Sequence, residues 1–342
     1  MSEAETWREI TEKAIAAQAS DIHLSVGAPA FLRINGVLKR IPESFVSQIF
    51  LEKLLGGMFS EKQAKQFQKD KELDLAWSYG RQRFRVNVFQ QISGLAISLR
   101  LIPDIIPTLE ELGTPAVLQE LLSLPHGLIL VTGRTGSGKT TTLAAFLFEV
   151  VRHFAKHIIT LEDPIEYVHT SDAGLISQRE LGTHFDSFAM ALRNSLRDDP
   201  DIILVGEMRD ADTIATALNA AETGHLVLAS LHTPSAVDTV LRLESLFPAE
   251  QQAQIRTQLA IVLRAVIAQQ LLPGATGGRV CAAEVLAASP AVRNLIRQGK
   301  VQQLPSVIMA GTTLGMQTMR HSIAQLQAAG KITPEVAAGY LE

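Results

Sequence analysis

The sequence predicts a two-part α/β protein: a small α+β domain with an antiparallel sheet, then a doubly wound P-loop domain with C-terminal helices. Three observations predict it. Residues 21–102 break into short strand-like runs separated by hairpin and helix signals. Pro103 and Pro107 then interrupt the pattern. Beyond them, apolar runs of strand length alternate with helical stretches, the rhythm of a parallel sheet covered on both faces.

In the first part, Trp7, Ile10, Ala14 and Ile15 repeat at helical spacing across residues 6–18. Residues 21–26 alternate like a strand. The runs 31–34 and 37–41 flank Asn35-Gly36, a pair suited to a two-residue hairpin because both positions tolerate positive φ. Helices follow at 46–58 and 60–69, the second capped by Ser60 with Gln63 three residues on. Strands at 73–78, 83–90 and 95–102 complete the sheet. The first domain is thus 1–102, and 103–112 is a linker or hinge with two prolines in its first five residues. In the second domain, 113–342, strands are expected at 127–132, 157–161, 202–206 and 225–230, with helices at 139–153, 187–197 and 211–223. After 235 the chain reads as mostly helical apart from a strand at 279–286, with helices near 289–298, 300–310, 316–328 and 333–341.

Composition narrows the function classes. A chain of 342 residues, 46% hydrophobic and 19% charged, builds two ordinary globular cores. Net charge −4 and a pI near 6.2 give no global basic field toward nucleic acid or anionic membrane. No apolar stretch reaches the roughly 20 residues a bilayer span needs. Glu3, Glu5 and Glu9 around Trp7 do not make a secretory signal, so a cytosolic protein is expected. Cys281 is alone, which leaves no intrachain disulfide and no cysteine zinc cage. In Val280-Cys281-Ala282-Ala283 it reads as a small buried hydrophobe.

The chemistry starts where 127–132 runs into Gly133-Arg134-Thr135-Gly136-Ser137-Gly138-Lys139-Thr140, the pattern G-x-x-x-x-G-K-[ST]. Strand, glycine loop and helix in that order are the context this motif requires. Backbone N–H groups and the helix dipole together suit a phosphate. The expected phosphate-binding set is Gly133, Thr135, Gly136, Ser137, Gly138, Lys139, Thr140 and Thr141, with Thr140 offering its hydroxyl to Mg²⁺.

Two acidic clusters follow. Residues 158–161 lead into Glu162-Asp163-Pro164-Ile165-Glu166, and the run 202–206 ends in Glu207. Strand C-termini of a parallel sheet line the same edge as the P-loop, so both clusters point toward a bound phosphate. Hydrolysis needs one carboxylate for the Mg²⁺ shell and another to orient or deprotonate water. Glu207 suits the first task and Glu166 the second. Taken singly, either acid also reads as a helix cap or solvated turn; the P-loop upstream favours chemistry. A strand candidate sits between the P-loop strand and the strand ending in Glu207, which by analogy points to the RecA-like branch of P-loop ATPases. In Gly224-His225-Leu226-Val227-Leu228-Ala229-Ser230-Leu231-His232-Thr233, one histidine precedes an apolar strand and one closes it. Spacing leaves two readings open: satisfied polar residues at strand ends, or His232 as a sensor of the γ-phosphate.

In this order, 133–140, Thr160-Leu161-Glu162-Asp163-Pro164-Ile165-Glu166, Asp199–Ile202 through Gly206-Glu207-Met208-Arg209-Asp210, and 224–233 resemble the P-loop, Asp box, Walker B and His box of the type II/IV secretion ATPase superfamily. Ala291-Val292-Arg293-Asn294-Leu295-Ile296-Arg297-Gln298 and Leu314-Gly315-Met316-Gln317-Thr318-Met319 are similar to its PilT-like branch, the retraction ATPases of type IV pili. The resemblance implies a homohexamer of two-domain subunits, each a PAS-like N-terminal domain and a RecA-like ATPase domain. It would hydrolyse ATP with Mg²⁺ to drive pilus retraction and twitching motility, peripherally at the cytoplasmic face of the inner membrane, on a pilus platform protein. It further implies that Lys139 and Thr140 hold phosphate and Mg²⁺, Glu166 is the catalytic glutamate and Glu207 the Walker B acid. His225 and His232 become the His-box residues. Arg85, within Arg83-Phe84-Arg85-Val86-Asn87, and Arg100 become the N-domain arginines that approach the nucleotide; their bland reading is solvated strand charge.

Departures bear on direction. Arg134 replaces the branch's usual proline, on the loop and away from its glycines. Gln298 stands where the retraction motif closes on glutamate, which removes a charge from it. The tetracysteine zinc motif usual in extension and secretion ATPases, in contrast, cannot be built from Cys281 alone. The alternatives are an accessory nucleotide-binding subunit that joins another ring, or an assembly or secretion ATPase of the same superfamily. A RecA-like nucleic-acid motor fits poorly with the acidic pI.

Overall fold

The structure, a computed structural model, describes residues 3–34, 36–80, 82–102 and 105–341. They divide into an N-terminal unit ending at Ile105 and a second unit from Ile106 on.

The N-terminal unit runs α1 (Glu3–Ala16), β1 (Asp21–Ser25), β2 (Pro29–Ile34), β3 (Val37–Phe45), α2 (Gln48–Met58), α3 (Glu61–Asp70), β4 (Glu72–Tyr79), β5 (Gln82–Gln91) and β6 (Gly94–Ile102). The strands form one antiparallel sheet in the order β3-β2-β1-β6-β5-β4. Period-two alternation decides its faces. Phe84, Val86 and Val88 of β5 are buried with Ile22 and Leu24 of β1, Trp7 and Ile10 of α1, and Phe50 and Leu51 of α2. The intervening Arg83, Arg85 and Asn87 lie on the opposite, more polar face. Asn35 falls outside the described residues; Gly36 has φ 79°, the sign the hairpin requires. At α3, Ser60 Oγ accepts from Gln63 N and Gln63 Oε1 accepts from Ser60 N, a complete capping box.

The second unit contains α4 (Val117–Leu121), β7 (Gly127–Thr132), α5 (Lys139–His153), β8 (His157–Glu162), β9 (Leu175–Glu180), α6 (Phe188–Ser195), β10 (Ile202–Val205), α7 (Ala211–Glu222) and β11 (Leu226–Leu231). It continues through α8 (Ala236–Ser245), α9 (Ala249–Val262), β12 (Leu263–Pro273), β13 (Arg279–Ala287), α10 (Pro290–Arg297), α11 (Leu304–Ala310), α12 (Met319–Ala328) and α13 (Pro334–Leu341). The sheet order is β13-β12-β7-β11-β10-β8-β9, with every pair parallel except β12 with β13. Leu128, Leu130, Ile203, Val205 and Val227 feed one core, and Ile129, Val131, Ile202, Leu204 and Leu228 the other. Burial on both faces is why these strands read as unbroken apolar runs. In space, β11 is the strand between β7 and β10.

Two strands depart from the sequence reading. β9, Leu-Ile-Ser-Gln-Arg-Glu, closes an edge of the sheet and is too polar to announce itself. β12 follows α9 with no turn residue between them, Leu263 serving as both helix C-cap and first strand residue, so its apolar run merges with the helix before it. Two expected helices begin late. Residues 301–303 form a 3-10 turn before α11. Gln317 pairs with Val285 of β13 before Thr318 caps α12.

Candidate nucleotide site

The site is built at the C-terminal ends of β7, β8, β10 and β11. Gly133 leaves β7 with φ 141°, and a Cβ there would lie 2.4 Å from the Gln269 carbonyl and 2.5 Å from Ser137 Oγ. Only glycine fits that turn. Gly138, at φ 89°, caps α5 without a side-chain hydrogen bond. A helix leaves its first N–H groups without intrahelical partners, so this end is open to an anion. A Cβ on Gly136 would meet nothing within 4 Å, and Ser137 Oγ is buried without a protein partner. Thr135 on the loop and Thr140 in the first turn of α5 are exposed. These donors fit a polyphosphate.

Lys139, at the first position of α5, is buried and folds back over the loop. Its Nζ donates to the Gly133 carbonyl at 2.8 Å and the Arg134 carbonyl at 3.2 Å, and lies 3.5 Å from His232 Nδ1. His232, just past β11, places Nε2 3.3 Å from Glu207 Oε1. Glu207, just past β10, pairs through Oε2 with Arg209 at 2.8 Å. One line of polar groups therefore joins Lys139, His232, Glu207 and Arg209. Burial lowers the Lys139 pKa, while the charges of Glu207 and Glu166 oppose that shift, so both carboxylates lie within its electrostatic reach. Burial pushes the Glu207 carboxyl up, but hydrogen bonding to Arg209, its charge, and His232 outweigh this and the net shift is down. Glu207 is an ionised acceptor at neutral pH.

Glu166 sits half-buried on the segment after β8, between the buried Ile165 and Tyr167. Tyr167 Oη lies 3.1 Å from Thr141 Oγ1, which ties this segment to the start of α5. Among the described residues no group of three or more His, Cys, Asp or Glu forms a metal cage. A Mg²⁺ shared with substrate phosphates is bound through only one or two protein carboxylates, a chemistry that the ionised Glu207 fits.

The structure does not bring His225 here. It precedes β11, whose register pairs Leu226 with Gly127 and Leu231 with Thr132, so His225 lies at the opposite edge of the sheet from the loop. Its Nδ1 is 3.0 Å from the Ala220 carbonyl, a strand-end role of the bland kind. Arg85 and Arg100 belong to the N-terminal unit, where they are cross-strand partners on β5 and β6. Arg100 Nε pairs with Asp21 Oδ1 at 3.0 Å. Sequence reading missed Arg209, Gln178 and Glu180. Arg209 carried a weak signal, two residues after Glu207; the other two sit on β9, the strand that was not visible.

Known proteins resemble this chain over most of its length. The family model described as "Type II/IV secretion system protein" matches residues 4–337. The chain is 47% identical over 318 residues to "Type IV pilus retractation ATPase PilT" of Pseudomonas aeruginosa, covering 93% of this chain and 92% of that protein. It is 46% identical over 308 residues to "Twitching motility protein" of Neisseria gonorrhoeae, covering 90% and 82%. Among solved structures it resembles "Crystal Structure of the Pilus Retraction Motor PilT and Bound ADP", with TM-score 0.89, 44% identity, and 96% and 95% of the two chains covered.

Proposed function

The chain belongs to the type II/IV secretion system protein family, and from that premise we propose that it is an ATPase motor that hydrolyses ATP to retract a type IV pilus. The observation that carries this is the line from Lys139 through His232 to Glu207 at the sheet edge where α5 begins. Its relatives supply the context: two are named for pilus retraction and twitching motility, and one similar solved structure, of PilT, has ADP bound.

Each residue then has a task. The loop from Gly133 to Thr141 binds the phosphates, and Lys139 exchanges its two loop carbonyls for phosphate oxygens. Thr140 and Glu207 would hold Mg²⁺, which would supply charge neutralisation on the phosphates when bound. Glu166 orients the attacking water and accepts its proton. His232, in contact with both Lys139 and Glu207, registers whether the γ-position is filled. Arg85 and Arg100 are assigned to charge stabilisation during turnover, and His225 to no step. Because retraction is mechanical, turnover is coupled to movement between subunits of a homohexamer. The partner is a membrane-embedded platform protein of the pilus machine, engaged from the cytoplasmic side of the inner membrane. No helix among the described residues is long and apolar enough to cross a membrane itself.

A deletion strain tests the direction of work. Surface pili accumulating without twitching, restored by the wild type and not by Lys139→Ala, is the expected result. Absent pili would assign the protein to assembly instead.

A further inference from the structure

We propose that the edge strand β9 is a clamp that positions Glu166, with Gln178 and Glu180 as its two positioning residues. The inference rests on reading Glu166 as the residue that activates water. After β8 ends at Glu162 the chain leaves the sheet, carries Glu166, and returns thirteen residues later as β9, parallel to β8. A segment of that kind has no ladder of its own, so its main-chain groups need partners elsewhere. β9 supplies them on both sides of Glu166. Glu180, buried, accepts from the Ile165 N–H through Oε2 at 3.0 Å, one residue before Glu166. Gln178 donates from Nε2 to the Tyr167 carbonyl at 2.8 Å, one residue after it. Gln178 Oε1 in turn accepts from the His169 N–H at 2.8 Å. Main-chain positions 165, 167 and 169 are thereby tied to one strand, and Glu166 lies between the first two.

The clamp is itself held. Gln178 Nε2 also donates to Glu162 Oε1 at 3.1 Å, and Thr160 Oγ1 donates to the same oxygen at 2.6 Å. With its amide nitrogen committed to two acceptors, the amide oxygen of Gln178 is directed at the His169 N–H, which fixes the orientation of the group. Glu180 is fixed from the other side: its N–H donates to His184 Nδ1 at 2.9 Å, and Thr183 Oγ1 reaches Oε1 at 3.4 Å. Gln178 and Glu180 are two residues apart on a strand and so share a face, which lets one strand grip the segment at both places. Tyr167, through Thr141, adds a third tie to the helix that carries Lys139. The assembly fixes the distance between the water-activating carboxylate and the phosphate loop. Misplacing a catalytic group by 1 Å costs on the order of 10²-fold in rate. Neither Gln178 nor Glu180 belongs to the phosphate loop, so their substitution leaves nucleotide affinity nearly unchanged.

Steady-state ATPase kinetics and fluorescent-ADP binding on the full chain test this, using Gln178→Leu, Glu180→Leu, Glu180→Gln and Gln178→Leu combined with Glu166→Gln. The first two lower kcat by roughly 10- to 100-fold and leave ADP affinity within about twofold. Glu180→Gln, which keeps an acceptor for the Ile165 N–H, recovers most of the rate. In the Glu166→Gln background, Gln178→Leu costs nothing further, because it acts through Glu166. Gln178→Asn, too short to span both main-chain partners, gives the same loss of kcat should a leucine variant fail to fold. Equal losses in kcat and ADP affinity, wild-type kcat in Gln178→Leu and Gln178→Asn, or additive losses in the double variant would each overturn the clamp. Wild-type turnover in Glu166→Gln would instead remove the assignment on which the clamp rests.

Discussion

Arg209 occupies the carboxylate that the proposed chemistry reserves for Mg²⁺, which makes its removal a quantitative experiment. Its guanidinium donates to Glu207 Oε2 at 2.8 Å, with the Arg209 side chain 67% exposed and that of Glu207 23% exposed. A pair with one partner so exposed is screened, and its contribution is about 1 kcal/mol, the top of the range for solvent-facing ion pairs. In the proposed assignment Mg²⁺ at Glu207 competes with that pair, so Arg209→Gln relieves about 1 kcal/mol of competition, or roughly fivefold in apparent Mg²⁺ affinity. In the variant His232 still faces Glu207 at 3.3 Å. Titration of Mg²⁺ into the ADP complex by calorimetry reads the effect without turnover. Half-saturation is expected at about one-fifth of the wild-type concentration, and the difference narrows as salt is raised. Unchanged or weaker Mg²⁺ binding in Arg209→Gln would refute the view that Arg209 and the metal compete for Glu207.

Two further predictions concern the frame of the site. Gly133→Ala places a Cβ 2.4 Å from the Gln269 carbonyl at φ 141°, so backbone strain and overpacking together destabilise by about 2–5 kcal/mol. A thermal midpoint within 2 °C of wild type would contradict it, since that loss corresponds to a drop of at least about 4 °C in a domain of this size. Burial holds the His169 imidazole down to about 4 from 6.5. The unfolded chain therefore takes up the proton first as pH falls, and the stability that depends on neutral His169 is present above about 6.5 and is lost toward about 4. From pH 7.5 to pH 5 this group contributes a loss of about 2 kcal/mol, measurable by urea unfolding at the two pH values. His169→Phe should flatten that part of the profile; an unchanged slope would show that His169 titrates normally.

The sequence carried the chemistry more legibly than the scaffold that aims it. The glycine loop, Glu207 and His232 were legible because strand, loop and charged terminus follow one another within a few residues, and a parallel sheet gathers strand ends at one edge. His225 shows the limit of the same logic: two histidines framing one strand look alike in sequence, yet they stand at opposite ends of it. β9 stayed hidden because an edge strand carries polar residues that elsewhere signal a loop, and with it went Gln178 and Glu180. β12 stayed hidden because α9 passes into it without a break. Partners of Lys139 such as the Gly133 carbonyl leave no trace in residue type at all.

Glu166 is the group proposed to activate water beside an intact phosphate loop. Steady-state ATP turnover and ADP affinity of Glu166→Gln, measured beside the wild type, test it most directly. The expected result is a fall in kcat of about 10² or more with ADP affinity preserved. A variant that turns over ATP at the wild-type rate would contradict it.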